Sequence, residues 1–248
     1  MDGAGQQVGT WPRCAAIFGA SGGIGSALCS ELAARGVATI HAGSRSGRVP
    51  QDQAIRPFRF ELEDETSISA AADAMRNAPP DLVIVASGVL TLPDGTGPER
   101  SYKSLDPVVM ARVFAANTIG PALVAKHMLP LLPRDRRAVL AALSARVGSI
   151  GDNRVGGWHS YRASKAGLNM LVRNFAIELG RTHKQAVVVS LHPGTVDTAL
   201  SEPFRANLPD GQLTDPDGAA RNLLGVIDGL IPADSGQQFD WKGGRVPD

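Results

Sequence analysis

Seven residues near the start of the chain, Gly19-Ala20-Ser21-Gly22-Gly23-Ile24-Gly25, restrict its possible folds more than any other stretch. They follow a short apolar run, Cys14 to Phe18, that reads as a buried strand. They precede a helical pattern with apolar Ala27, Leu28, Leu32 and Ala33 and a glycine stop at Gly36. A second apolar run, Val37 to Gly43, completes a strand, loop, helix, strand unit. Glycines at such a turn let the backbone bend tightly and approach a pyrophosphate closely. The helix N-terminus then presents free N–H groups and a partial positive charge. A plain strand-to-helix turn tolerates glycines too. The position between the first strand and first helix of an α/β chain favours a dinucleotide site, with Gly19, Ser21, Gly22, Gly23 and Ile24 as its contacts.

The pattern then repeats. Strands are expected at Phe58–Leu62, Asp81–Gly88, Ala138–Ser144, Ala186–Gly194 and Gly236–Asp240. Helices are expected at 66–75, along the whole of Asp106–Leu132, at Ser160–Gly180 and at Pro216–Leu230. Near-continuous apolar strands alternating with helices imply a parallel sheet covered on both faces. The expected fold is therefore α/β: a single-domain, Rossmann-like, doubly wound parallel sheet of about seven strands. It spans 13–248 after a flexible tail at 1–12, with the irregular segment 195–216 as a substrate lid. The 248 residues, 43% hydrophobic, suffice for one core. A net charge of +1 offers no basic excess for nucleic acid or a membrane surface. No apolar run approaches the roughly 20 residues that span a bilayer, and the N-terminus lacks a secretory pattern. Cys14 and Cys29 read as free thiols, so a cytoplasmic protein is expected.

Ligand residues should gather at the carboxyl edge of such a sheet. After the second strand come Ser44 and Arg45, where an acidic residue would bond the ribose 2′-hydroxyl of NAD. A guanidinium suits a 2′-phosphate instead, which favours NADP(H) over NAD(H). Arg48 is a weaker candidate for the same role. Further along, Tyr161 and Lys165 lie four apart in a helical segment, on one face. A nearby ammonium favours the phenolate and lowers a tyrosine pKa, so the pair can transfer a proton. Such spacing also arises by chance on a solvated helix face.

Taken in order, these residues resemble the short-chain dehydrogenase/reductase family over nearly the whole chain. Gly19 to Gly25 is similar to the family's cofactor loop. Glu61-Leu62 stands where the family usually has Asp-Val beside the adenine. Ala86-Ser87-Gly88 stands where it usually has Asn-Ala-Gly. Asn117 matches the active-site asparagine, and Tyr161 and Lys165 match the catalytic pair. The segment from His192 to Thr198 is similar to the Pro-Gly segment that holds the nicotinamide, with Pro193, Gly194, Val196 and Thr198 as contacts. The wording around Ser144 to Ile150 and Tyr161 to Lys165 most resembles the branch containing C-factor (C-signal) and sniffer-like carbonyl reductases.

The resemblance implies hydride transfer between a nicotinamide and a small carbonyl or alcohol substrate. Tyr161 would give or take the proton. Lys165 would tune it and bond the nicotinamide ribose, and Asn117 would anchor a water. It also implies a homodimer or homotetramer built on the helices near 106–132 and 160–180. A family serine commonly sits three residues before a glycine. Here Ala145 holds that place before Gly148, and Ser144 is one residue early. On a strand that offset turns a side chain to the other face. Ser144 is the first candidate for the catalytic hydroxyl and Ser149 the second; absence of one is the third possibility. The other histidines read as structural, with His192 more a packed strand-end residue than a site residue. Leu200, Phe204, Arg205 and Leu208 suit a mainly apolar substrate. A nucleotide-binding signalling protein that needs no turnover is the alternative reading, motivated by Ala145 and Ala86.

Overall fold

A computed structural model describes residues 11–203 and 213–248. The expected tail at 1–12 falls mostly outside the described residues, as do Phe204, Arg205 and Leu208 of the expected lid. Ten strands are described: β1 Cys14–Phe18, β2 Thr39–Ser44, β3 Ile55–Arg59, β4 Leu82–Val85, β5 Ala138–Leu143, β6 Ala186–His192, β7 Thr195–Val196, β8 Leu213–Thr214, β9 Gln238–Asp240 and β10 Arg245–Val246. The helices are α1 Gly23–Ala34, α2 Glu65–Ala74, α3 Pro107–Phe114, α4 Gly120–Met128, α5 His159–Leu179 and α6 Pro216–Gly229. Eight strands form one sheet in the order β10-β9-β6-β5-β4-β1-β2-β3. Every pair in it is parallel except β9–β10.

The strand order follows from the burial pattern. Strands β4 and β5 are buried at every position, as central strands covered on both faces must be. Residues Leu28 and Leu32 of α1 and Leu223 and Ile227 of α6 pack with alternate strand residues, such as Ile17, Ile84 and Val189, on one face. Ile68 of α2, Val124 of α4 and Leu168 of α5 pack with the intervening ones, such as Phe18, Val85 and Val188, on the other. The chain winds outward from β1 to β3 and then returns to β4. The carboxyl ends of β1 and β4 are therefore neighbours at the point where the winding reverses, and a crevice opens there.

Three expectations need correction. The third strand runs Ile55–Arg59, not Phe58–Leu62. Pro57 is accepted because β3 is the sheet's edge, where a missing N–H costs no ladder bond. The sheet has eight strands rather than seven because the last residues fold back as antiparallel β10. The expected long helix is four pieces: α3, a π-helical turn at Ala115–Ile119, α4, and a 3-10 turn at Leu129–Leu131. Such turns interrupt helices mostly at functional sites, and this one carries Asn117. Within Pro107–Leu131 an 18-residue window has a mean hydropathy of 1.6, enough to match a membrane-crossing helix in length and composition. The sequence reading missed this because Arg112 and Lys126 interrupt the run. In the fold, Val113, Val124, Ala125 and Met128 of this span are buried.

Candidate active site

The glycine loop lies at the crevice. Gly19 has φ +105°, and a Cβ on Gly25 would stand 2.2 Å from the Gly19 carbonyl oxygen, so the turn closes only without that side chain. Helix α1 has Gly22 at its N-cap, with no side-chain cap hydrogen bond and no acidic residue in its first turn. Its first amides therefore remain available to an anion. Gly19, Ser21, Gly22, Gly23, Ile24, Ser44, Arg45, Glu61, Leu62, Ala86, Ser87 and Gly88 line a single cavity of about 560 Å³. The sequence placed all twelve there. Ser44 contributes less than expected, because it is buried and its hydroxyl donates to the Arg48 carbonyl at 3.0 Å. Arg45 is 75% exposed and its Nη1 lies 4.0 Å from Glu61 Oε1, a weak solvated pairing. Arg59 is a further cation at this edge, paired in register with Ser44. The sequence reading missed it because its strand was misplaced by three residues.

A second cavity of about 740 Å³ adjoins the first. The two share Ile24, Ala86, Ser87, Gly88, Val89, Thr198 and Leu200, so they form one continuous cleft. Ser144, Tyr161, Lys165, Pro193, Gly194, Val196 and Thr198 line this second part. Tyr161 and Lys165 sit on the inner face of α5, both buried, with Lys165 Nζ 5.9 Å from the tyrosine ring centroid. Lys165 Nζ donates to the Leu143 carbonyl at 3.0 Å. Burial pushes the Lys165 pKa down to about 8 and the Tyr161 pKa up to about 12. The expected lowering of the tyrosine is not present in the protein alone, because desolvation by burial dominates.

Asn117 lines neither cavity. It is fully buried, and its side chain holds the Val89 backbone from both sides. Oδ1 accepts from Val89 N at 2.8 Å, and Nδ2 donates to Val89 O at 2.8 Å and to Ser164 Oγ at 3.2 Å. A Cβ on the neighbouring Gly88 would stand 2.9 Å from Asn117 Oδ1. Asn117 thus fixes the wall shared by the two cavities.

Ala145 packs with Tyr161 and Leu90 in a buried apolar cluster, and Ser144 lines the same cavity as Tyr161. The Ser144 hydroxyl donates to Asn169 Oδ1 at 2.8 Å, and Asn169 donates in turn to Gln238 Oε1 at 2.9 Å. The Ser144 hydroxyl is thus engaged with α5, the helix that also carries Tyr161 and Lys165. Ser149 is also committed, accepting from Asp152 N at 3.0 Å, and is absent from the residues lining the cleft.

Two more residues matter: Glu99, which the sequence did not single out, and His192, which it read otherwise. Glu99 is buried and binds the start of α5, accepting from the Ser160 hydroxyl and from Ser160 N. Burial raises its pKa and the Ser160 hydrogen bonds lower it, with a net lowering. Its sequence distance of 61 residues from Ser160 leaves no local signal. His192, read as a packed strand-end residue, lines the cleft instead. Burial pushes it down to about 4, so it is neutral at pH 7, and its Nδ1 has no hydrogen-bond partner among the described residues. Trp158 packs edge-on to Tyr161, centroids 6.2 Å apart, from a left-handed backbone at φ +51°.

A doubly wound sheet with a glycine cradle at its reversal point and a buried Tyr–Lys pair beside it defines a class, the nicotinamide-dependent oxidoreductases. Within that class, residues 13–209 match the family model described as short chain dehydrogenase, and the chain belongs to that family. The C-signal protein of Myxococcus xanthus is 38% identical over 178 residues, which cover 72% of this chain and 98% of that one. The 1-hydroxy-2-glutathionyl-2-methyl-3-butene dehydrogenase of Rhodococcus sp. is 33% identical over 227 residues, covering 89% and 93%. Among solved structures, an NADPH-bound carbonyl reductase from chicken fatty liver superposes with a TM-score of 0.79. It is 25% identical, and the match covers 95% of this chain and 94% of that one. The expected resemblance to the C-signal and carbonyl reductase branch agrees with these matches.

Proposed function

We propose that this oxidoreductase is an NADPH-dependent carbonyl reductase in which Tyr161 supplies the proton. The observation that carries the reading is the buried Tyr161–Lys165 pair on a wall continuous with the glycine cradle. The glycine turn and the uncapped α1 amides hold the pyrophosphate. Arg45, with Arg48 and Arg59 at the same edge, receives a 2′-phosphate, where no acidic residue follows β2 to bond a 2′-hydroxyl. When bound, the nicotinamide provides the hydride. A tyrosine pushed up to about 12 is fully protonated at neutral pH, the state a donor to a carbonyl oxygen needs. Lys165 stabilises the phenolate left behind, since an ammonium in a buried site interacts strongly with a new anion. Asn117 keeps the Val89 wall in place throughout.

We assign the substrate lid to residues 195–216, of which 195–203 and 213–216 are described and Thr198, Leu200 and Pro203 line the cleft. The exposed Val108, Ile119, Met170 and Ile177 on the outer helices support a homodimer or homotetramer. The purified protein is expected to oxidise NADPH with an aldehyde, ketone or quinone. Tyr161→Phe is expected to lower kcat/KM by about 10²–10⁴-fold. Turnover that survives Tyr161→Phe sinks the mechanism. One observation favours a second reading, a nucleotide-binding signalling role: Ala145 puts a methyl group where a hydroxyl would assist the substrate oxygen. Tight NADPH binding without turnover on a broad carbonyl panel, with a cellular phenotype indifferent to Tyr161→Phe, would decide for it.

A further inference from the structure

The wall of the substrate cavity divides by chemistry. Around Tyr161 it is apolar, built from Leu90, Ala145, Val147 and Trp158. Beyond these it carries Arg100, Arg146, Arg154 and Arg162, against Asp152 as the acidic residue among those lining it. One arginine is neutralised: Arg146 Nε lies 2.6 Å from Asp152 Oδ2. The other three have no carboxylate within ion-pair distance among the described residues.

These three are held from separate elements. Arg162 is the residue after Tyr161 on α5; its Nη1 donates to the Val147 carbonyl at 3.2 Å, and its buried Nε has no partner. A buried guanidinium nitrogen left unpaired costs free energy that an acceptor would recover. Arg154 stands in a loop whose shape is set by Asn153, which accepts from Gly156 N at 3.0 Å. Arg100 follows Glu99, whose carbonyl accepts from Trp158 N. The Glu99 backbone thereby ties Arg100 to the wall beside Tyr161. Arginines lining one cavity from three segments, Arg100 and Arg154 exposed and Arg162 partly buried, suit a carboxylate, sulfonate or phosphate.

We propose that the preferred substrate is anionic: a carbonyl compound with an apolar reacting end toward Tyr161 and a carboxylate-type group among Arg100, Arg154 and Arg162. This rests on the reductase reading above and names its substrate class. It also changes the expectation of a mainly apolar substrate, which came from the segment near Leu200 alone.

The test compares 4-carboxybenzaldehyde with its neutral methyl ester, both with NADPH and full-length protein. The acid is expected to show a kcat/KM higher by about tenfold, the size of one charge-assisted contact at a partly wet site. The preference should shrink as salt rises from 50 to about 500 mM. Arg100→Gln, Arg154→Gln and Arg162→Gln should each lower the acid-to-ester ratio, and the triple variant should bring it near one. A ratio near one in the parent, or one unmoved in the triple variant, overturns the proposal. Failure of the reductase reading looks different: neither compound is then reduced. In that case calorimetric titration of the NADPH-loaded protein decides. Binding of the acid at least about fivefold tighter than the ester keeps the anion site, at the scale of a single charge contact. Equal binding removes it.

Discussion

Replacing Asn117 with alanine should damage stability and nucleotide binding together, and the structure sets the scale. The side chain makes three hydrogen bonds, two to the Val89 backbone and one to Ser164. Asn117 is fully buried, so water cannot readily take its place. Each such bond is worth about 1 kcal/mol net, and stranding the half-buried Val89 N–H and C=O adds part of their desolvation cost. The sum is about 3–4 kcal/mol. For a chain of this size that lowers Tm by about 6–16 °C. Val89 belongs to both cavities, so NADPH should also bind more weakly. Asn117→Asp is a useful second variant. It keeps the Oδ1 acceptor but turns an oxygen toward the Val89 carbonyl, and Ser164 already donates its hydroxyl to the Tyr161 carbonyl. It should therefore lose at least as much. Urea unfolding, thermal melts and NADPH titration measure these effects. A loss below about 1 kcal/mol with parental NADPH affinity would refute the view of Asn117 as the clamp on that wall.

Further expectations concern the reacting groups. Burial moves Lys165 from 10.5 to about 8, so below pH 8 the folded chain carries a buried charge at a cost. Lys165→Met should abolish turnover yet stabilise the protein by about 1–3 kcal/mol at pH 7. Between pH 8 and 10.5 the unfolded chain keeps the lysine proton while the folded chain releases it. The parent therefore gains stability as pH rises, and the variant's advantage should vanish near pH 10.5; an advantage that stays constant with pH would contradict this. Ala145→Ser places a hydroxyl beside Tyr161 and should raise kcat on neutral carbonyls about tenfold or more; an unchanged kcat in steady-state assays counts against that geometry. Arg45→Ala combined with Arg59→Ala should reduce the preference for NADPH over NADH by about tenfold, read from KM ratios, and an unmoved ratio moves the phosphate site elsewhere.

The parts legible in the sequence are those whose chemistry is local. Glycines 19, 23 and 25 act within one turn, and Tyr161 and Lys165 share one helix face, so their spacing is visible in the sequence and the order of the other motifs singles them out. Ala145 and Ser144 were readable as a register problem. Which of the two faces Tyr161 depends on where β5 ends and the turn at Arg146–Gly148 begins. Glu99 and Arg162 were hidden for another reason. Their roles come from segments brought together by the fold: Glu99 with Ser160, and Arg162 with the Val147 carbonyl. The π turn at Ala115–Ile119 left no mark in an apolar periodicity that simply runs on through it.

The short pairing of β7 with β8 has a consequence for how this chain could diversify. Thr195 pairs with Leu213 and Val196 with Thr214, so the two ends of the segment between them are fastened side by side. Behind β8, helix α6 begins at once with an Asp215 cap that accepts from Gly218 N at 2.7 Å. A segment closed at its base by such a staple can change length at little expense, about 0.6 kcal/mol for each doubling. The fastened ends, β7 and β8 with α6 behind them, can thus keep their places while the length of chain between them changes.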